Sequence, residues 1–256
     1  MIKAIFFDVD GTLVSHSISN IPQSTKQALQ KLQQNGIKIF LATGRHLPEL
    51  EDLHVQDIPF DGYVLINGQL CLDSNQNIIF EQPIPKQDNQ KLRQIFEDKK
   101  IPTVIIDKNG LYSNFMNPTI IQAQADVSSP VPKIQEYHSS NVYQYTIYTN
   151  ELKAQNILSK LENCTMTKWN PYAFDIIPST GGKSAGILKT IEHYGIQQNE
   201  VMAFGDGEND IEMLKWAHIG VAMGNADENV KKNANYITTH IDEDGIDQAL
   251  KHFNLI

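Results

Sequence analysis

The stretch "AIFFDVDGT", Ala4 to Thr12, decides how the rest of the chain is read. Four apolar residues, Ala4-Ile5-Phe6-Phe7, run without alternation into Asp8, and Asp10 follows two positions later. A short run that is apolar on both faces is the pattern of a strand buried in a parallel sheet. Carboxylates at the end of such a strand sit where open α/β sheets bind their ligands, outside the carboxyl ends of the strands.

Working outward, residues 22–35 read as a helix with Ala28, Leu29 and Leu32 on one face, closed by Gly36. "IKIFLATGR", Ile37 to Arg45, reads as a second strand ending at Thr43, so strand, helix and strand form a βαβ unit. "GYVLINGQLCLD", Gly62 to Asp73, continues with strand-like segments broken at Asn67-Gly68, a turn signal. The texture changes near Pro83. A helix is expected over residues 89–99, then "PTVIID", the turn "DKNG" and "LYS". An alternating strand follows over residues 142–149, a helix over 151–161, and a strand with a Pro/Ser/Gly loop in "YAFDIIPSTGGK". Helices segregated from hairpin-like strands predict an α+β insert.

From Lys183 the βα rhythm returns. Ile187, Leu188 and Ile191 are expected on one side of a helix closed by Gly195. The strand "EVMAFG" then runs into Asp206, and helices and strands alternate to Phe253. The expected fold class is α/β. One Rossmann-like parallel-sheet domain is built from residues 1–82 and 183–256, and a smaller α+β domain over 83–182 interrupts it.

The 256 residues allow one large or two modest domains, and a hydrophobic fraction of 41% is ordinary for a globular protein. A formal net charge of −9 argues against non-specific binding to nucleic acid or anionic membrane. It leaves room for an anionic substrate, because a metal supplies local positive charge. Cys71 and Cys164 make no disulfide framework and fit a reducing, cytoplasmic setting. No apolar run approaches a membrane span, and Asp8 and Asp10 interrupt the N-terminal run too early for a signal peptide. Nothing in the sequence speaks to oligomeric state.

Polar residues gather at the predicted element ends. Asp8 and Asp10 follow the first strand and Thr43 ends the second. Asp206, Asn209 and Asp210 follow "EVMAFG", and Lys183 starts the helix leading toward it. Four carboxylates and an amide carbonyl form a hard-oxygen set suited to Mg²⁺. Acids this close need a cation to ionise together. A Lys and a Thr hydroxyl beside them offer donors to phosphate. Asp8 then suits the role of nucleophile, and Asp10 that of general acid and base.

Each motif alone has a plainer reading. Asp-Gly pairs mark turns. Thr43-Gly44-Arg45 alone reads as a turn with Arg45 on the surface, and Lys183 alone as a solvated helix-start residue. Asn209 suits a helix N-cap. The sixth position from Asp8 is Leu13, and from Asp206 it is Ile211, which excludes an EF-hand loop. Ile177 stands where a P-loop before Gly182-Lys183-Ser184 needs glycine. The histidines are scattered without ligand spacing, His16 and His46 near strand ends among them, and read as structural or surface groups. Trp169 and Tyr172 read first as core packing.

Taken together, Asp8-Val9-Asp10-Gly11-Thr12, Thr43-Gly44-Arg45, Lys183 and Gly205-Asp206-Gly207-Glu208-Asn209-Asp210 resemble the four motifs of the haloacid dehalogenase superfamily. Within it the sequence is similar to the Cof-type subfamily (HAD-IIB, with a C2-type cap). "INGQ" at 66–69, "GVAMGNA" at 220–226 and "DEDGI" at 242–246 match that subfamily's wording. The resemblance implies a Mg²⁺-dependent phosphatase for small phosphorylated metabolites, sugar phosphates or related monoesters, working through an aspartyl-phosphate. It implies Asp8 as nucleophile and metal ligand, and Asp10 as general acid/base ligating through its backbone carbonyl. Thr43, Gly44, Lys183 and Asn209 would bind phosphate, and Asp206, Asn209 and Asp210 would complete the metal site. The inserted domain would be the cap that closes over the site. Two places depart from the pattern: Ser184 follows Lys183 where glycine is common, and His46 and Pro48 follow Arg45. A phosphomutase of the same superfamily shares the first step, and a non-enzymatic phospho-aspartate switch is the remaining alternative.

Overall fold

Strand β1 (Ala4–Phe7) is buried along its whole length, as an unbroken apolar run requires. The computed structural model of the protein describes all residues except His16, Ile18, Ser19, His54, Val127 and Ser128, and the side chains of all but Glu51, Asp52 and Gln56 among the rest. The protein forms two compact units, one of residues Met1–Glu81 with Lys183–Ile256, the other of Gln82–Gly182.

In the first unit β1 is followed by α1 (Gln23–Gln34), β2 (Lys38–Ala42), β3 (Gly62–Leu65), β4 (Leu70–Asp73) and β5 (Ile78–Glu81). The second unit holds α2 (Lys86–Asp98), β6 (Thr103–Asp107), β7 (Gly110–Ser113), α3 (Pro118–Asp126), β8 (Lys133–Ile134), β9 (Val142–Tyr148), α4 (Glu151–Leu158), β10 (Cys164–Asn170) and β11 (Ala173–Pro178). The returning segment adds α5 (Lys183–Tyr194), β12 (Val201–Gly205), α6 (Ile211–Trp216), β13 (Ile219–Ala222), α7 (Glu228–Lys231), β14 (Tyr236–Ile237) and α8 (Gly245–His252).

Among the described residues the first unit's sheet has the order β14-β13-β12-β1-β2-β3-β4-β5. β14 through β3 run parallel, and Ala4 pairs with both Val201 and Lys38. The first segment thus supplies one half of the central sheet and the returning segment the other. Phe6 and Phe40 stack at 4.7 Å between ring centroids. Burying each such side chain contributes about 1.5–3 kcal/mol. α1 buries Thr25, Ala28, Leu29 and Leu32, a stripe at helical spacing, and Gly36 adopts φ +76° just past its end.

The sheet departs from an all-parallel one at its β5 edge. The short turn at Ile66–Gly68, with Ile66 and Asn67 at φ 53° and 52°, reverses the backbone, so β4 runs antiparallel to β3 and β5 antiparallel to β4. Leu188 also departs from expectation. α5 turns Ile187, Thr190 and Ile191 inward and leaves Leu188 exposed, because Gly186 rather than Leu188 sits in the close helix–sheet contact.

The second unit has a sheet of order β10-β11-β9-β6-β7-β8, antiparallel except for β7 with β8. β9 is buried on both faces throughout, where the alternation of its sequence suggested one wet face. α3, β8 and β10 carry no clear period and were not expected from the sequence.

Candidate active site

The parallel strands of the first unit end in acids. Asp8 leaves β1 with its N–H donating to the Phe204 carbonyl at 3.0 Å, so the ladder with β12 holds it beyond the end of the strand. Asp206 directly follows β12, and Asp210 lies on the first turn after it. Lys183, the first residue of α5, is 1% exposed. Its Nζ donates to Asp8 Oδ1 at 2.7 Å and to Asp210 Oδ1 at 2.6 Å. The solvated-lysine reading is therefore wrong: burial would lower the pKa of Lys183, but Asp210 and Asp8 outweigh it and raise it.

The other oxygen of Asp210, Oδ2, accepts from the N–H groups of Asp206 and Gly207 at 2.9 Å each, which folds the acidic loop back on itself. Asp206 is held from two sides. Thr12 Oγ1 donates to its Oδ1 at 2.9 Å, and Asn225 Nδ2 to its Oδ2 at 3.2 Å. Gly11, at φ +77°, makes room, since a Cβ there would lie 2.2 Å from Asp206 Oδ2.

Asp8, Asp206 and Asp210 each bring one carboxylate oxygen to within 4.8 Å of the others. Burial, and then the charge of Asp210, push Asp8 well above the usual carboxylate range, with Lys183 opposing. Burial and Asp210 push Asp206 up to about 7. Both shifts have one origin, crowded negative charge in a dry place. Three carboxylates against one ammonium leave a formal charge of −2. An all-oxygen donor set of that charge fits a hard divalent cation.

Asp10 stands apart from this cluster. Arg45 grips its carboxylate with two parallel bonds of 2.7 Å, from Nε to Oδ2 and from Nη2 to Oδ1. The surface-arginine reading fails here, because the Arg45 side chain is buried. Burial alone would lower its pKa, but the bonds and charge of Asp10 raise it. A planar fork suits a carboxylate in this way and fixes its orientation.

Thr43 is buried at the end of β2, and its Oγ1 accepts from Arg45 N at 3.1 Å. Gly44 follows it, and a Cβ there would come within 3.2 Å of Asn67 Oδ1. Asn209 turns its amide Nδ2 to Asn67 Oδ1 at 3.1 Å, and it sits inside the turn after Gly207 rather than capping α6. His46 is buried, while His16 lies outside the described residues. In the second unit Trp169 is partly buried against Tyr148, and Tyr172 is exposed, against the packing reading. Sequence reasoning missed Arg45 and Asn225 as site residues. Asn225 had a signal in the quoted phrase "GVAMGNA", but its partners Gly11 and Asp206 are known only from the fold.

Acids gathered at the carboxyl ends of a parallel sheet, neutralised in part by a buried lysine, define an α/β fold with an acidic site at its strand ends. The chain belongs to the haloacid dehalogenase-like hydrolase family, which matches residues 5–250. It is a hydrolase of the phosphatase type. Among solved structures it is similar to the HAD subclass IIB sugar phosphatase BT4131, at 36% identity and a TM-score of 0.90 over 99% of this chain and 100% of that one. It is also similar to BT1666 from Bacteroides thetaiotaomicron, described among the phosphatases of the superfamily, at 35% identity and a TM-score of 0.91 over 100% of this chain and 96% of that one. The 5-amino-6-(5-phospho-D-ribitylamino)uracil phosphatase YcsE of Bacillus subtilis strain 168 is 27% identical over 99% of this chain and 96% of its own length.

Proposed function

We propose that this phosphatase hydrolyses phosphomonoesters of small hydroxylated metabolites, with Mg²⁺ as cofactor and Asp8 as nucleophile. The observation that carries the reading is the position of Asp8, buried at the end of β1, held by Lys183 and within reach of two further acids. Asp8, Asp206 and Asp210 would hold the metal, with the Asp10 carbonyl and Asn209 as further oxygen donors. The ion supplies positive charge that lets these carboxylates ionise together and draws the substrate's phosphate.

The protein's own groups divide the rest. A carboxylate oxygen of Asp8 attacks phosphorus, and the bond from phosphorus to the ester oxygen breaks. Asp10 gives its proton to the departing alkoxide. In the second half Asp10 takes a proton from water, the water oxygen attacks phosphorus, and the bond to Asp8 breaks to return the free carboxylate and inorganic phosphate. Lys183 counters the charge of Asp8 and Asp210 and, with Thr43 and the Gly44 N–H, offers donors to the phosphoryl oxygens. Arg45 aims Asp10. The second unit, residues 82–182, acts as the substrate-selecting cap.

The test is direct. Purified protein with Mg²⁺ releases inorganic phosphate from p-nitrophenyl phosphate and from hexose phosphates. Chelation stops the release and added Mg²⁺ restores it. Asp8→Asn lowers the rate by at least ~10⁴-fold, since it removes the nucleophile. Full activity in that variant, or isomerised hexose phosphate in place of free phosphate, sinks the reading.

A further inference from the structure

The turn between β3 and β4 holds three successive residues in the left-handed region, Ile66 at φ 53°, Asn67 at 52° and Gly68 at 88°. Asparagine and glycine suit that conformation. Isoleucine does not, because its branched Cβ crowds the backbone there. Strain of this kind persists only where the surroundings impose it, and it gathers at functional sites. Here the surroundings are explicit. Ile66 N–H donates to the Arg45 carbonyl at 3.1 Å, and Asn67 N–H to the Thr43 carbonyl at 3.0 Å. Gln69, fully buried, donates through Nε2 to the Asn67 carbonyl at 3.0 Å. α5 closes on the turn where Gly186 meets Gly68. The turn is thus pinned to the backbone of the loop that carries Thr43, Gly44 and Arg45.

Reversing the backbone does not account for the side chain of Asn67. An Asn-Gly hairpin turn needs only the backbone freedom of those residues. The Asn67 side chain is instead buried, with the residue 3% exposed, and its oxygen is used outside the turn. Asn67 Oδ1 accepts from Asn209 Nδ2 at 3.1 Å, across 142 residues of sequence. The same atom lies beside Gly44, where a Cβ would come within 3.2 Å of it. One side chain therefore stands between the loop after β2 and the acidic loop after β12. An amide has a donor end and an acceptor end. With the donor end of Asn209 bound at Asn67, its acceptor Oδ1 lies over Gly207 of the acidic loop, where a Cβ would be 2.6 Å from it.

We infer that Asn67 is a positioning residue of the acidic site, which binds the amide nitrogen of Asn209 and so commits the Asn209 oxygen to the divalent cation. The inference rests on the metal-dependent phosphatase reading and adds to it the group that orients one of its oxygen donors. An Asn209 amide free to rotate would offer its NH₂ end as readily as its oxygen, and the NH₂ end repels a cation. The strained turn at Ile66 is what carries Asn67 inward to make this bond, and the Thr43 and Arg45 carbonyls hold it there.

Binding of Mn²⁺ to the full-length protein without substrate tests this. Mn²⁺ takes the same hard oxygen donors as Mg²⁺, and its free ion is counted directly by electron paramagnetic resonance. Asn67→Gly is the decisive variant, because glycine adopts positive φ freely, so the turn survives and only the side chain is lost. Its Kd for Mn²⁺ is expected to rise about tenfold while its thermal unfolding stays cooperative. In the Asn209→Ala background the same change is expected to add nothing, since the bond it removes is already gone. Asn67→Asp keeps an acceptor for Asn209 and tolerates the left-handed backbone, and its added charge favours a cation, so it is expected to bind Mn²⁺ at least as tightly as the wild type. It carries the test if Asn67→Gly does not fold. An unchanged Kd in Asn67→Gly, a full further loss in the double variant, or a tenfold loss in Asn67→Asp overturns the positioning role. Absence of Mn²⁺ binding by the wild-type protein overturns the metal-dependent phosphatase reading instead.

Discussion

Arg45 and Asn225 act at the scale of single residues, each by holding an acid of the candidate site. Arg45 binds both carboxylate oxygens of Asp10, so its loss frees a group that must point at one proton. Arg45→Met is expected to lower kcat roughly 10²-fold, the cost of a misplaced acid–base group, with a smaller change in KM; steady-state and stopped-flow phosphate release measure it. Asn225 spends its amide nitrogen on the Gly11 carbonyl at 2.8 Å and on Asp206, and its oxygen accepts from Ile241 N at 3.1 Å. It ties the loops of Gly11 and Ile241 to Asp206, an acid of the candidate site. Asn225→Ala is expected to raise the Mg²⁺ concentration for half-maximal activity by about 10–100-fold, as changes behind a metal ligand commonly do. An unchanged Mg²⁺ titration would refute that role.

At the scale of elements, α2 and α5 show how one residue decides a packing contact. Asp88 lies in the first turn of α2, fully buried, and accepts from Asn163 N at 2.7 Å and from Glu162 N at 3.1 and 3.2 Å. It thereby joins the helix to the start of β10. Burial would raise its pKa, but those backbone bonds and Lys91 outweigh it and hold it below the usual carboxylate range. A depressed acid contributes stability above its unfolded value, near ~3.9, and that contribution is lost as pH falls through the folded value. Denaturant unfolding followed from about pH 6 down to about pH 3 should therefore show an acid-side loss that Asp88→Asn weakens. Asp88→Ala should cost about 1–3 kcal/mol at neutral pH. In α5, Gly186 lets the helix approach the sheet: a Cβ would lie 2.7 Å from Val64 Cγ1 and 2.8 Å from Gly68 Cα. Gly186→Ala is expected to cost about 1–3 kcal/mol by overpacking, against its better helix propensity, and a lowered melting temperature checks the sign.

At the scale of the whole molecule the protein is two units with different connectivity. The second is continuous, residues Gln82–Gly182, and has its own core around Leu92, Phe96, Ile105, Tyr145 and Phe174. The first is assembled from two separate segments of sequence, with Ala4 paired to Val201. A segment of residues 82–182 expressed alone should therefore fold, giving a dispersed amide spectrum and a cooperative melt. A collapsed spectrum would show that its core is incomplete. The first unit cannot form its central sheet until both segments have been made, since β1 has β2 on one side and β12 on the other.

The division between sequence and structure follows from distance along the backbone. The alternation of apolar runs and helical stripes is local, so β1, α1, β2, α5 and β12 were legible, and so were Asp8, Asp10, Lys183, Asp206 and Asp210, because each sits at the end of such an element. α3 and β10 were not legible, because neither has a clean period and both are set by what they pack against. The stretch "AIFFDVDGT" by itself determined a buried strand carrying two acids. Only the tertiary structure gave those acids different surroundings, Lys183 and Asp210 around Asp8 and the Arg45 fork around Asp10. It alone also put Asn67 against Asn209, because the fold brings together residues that no local pattern connects.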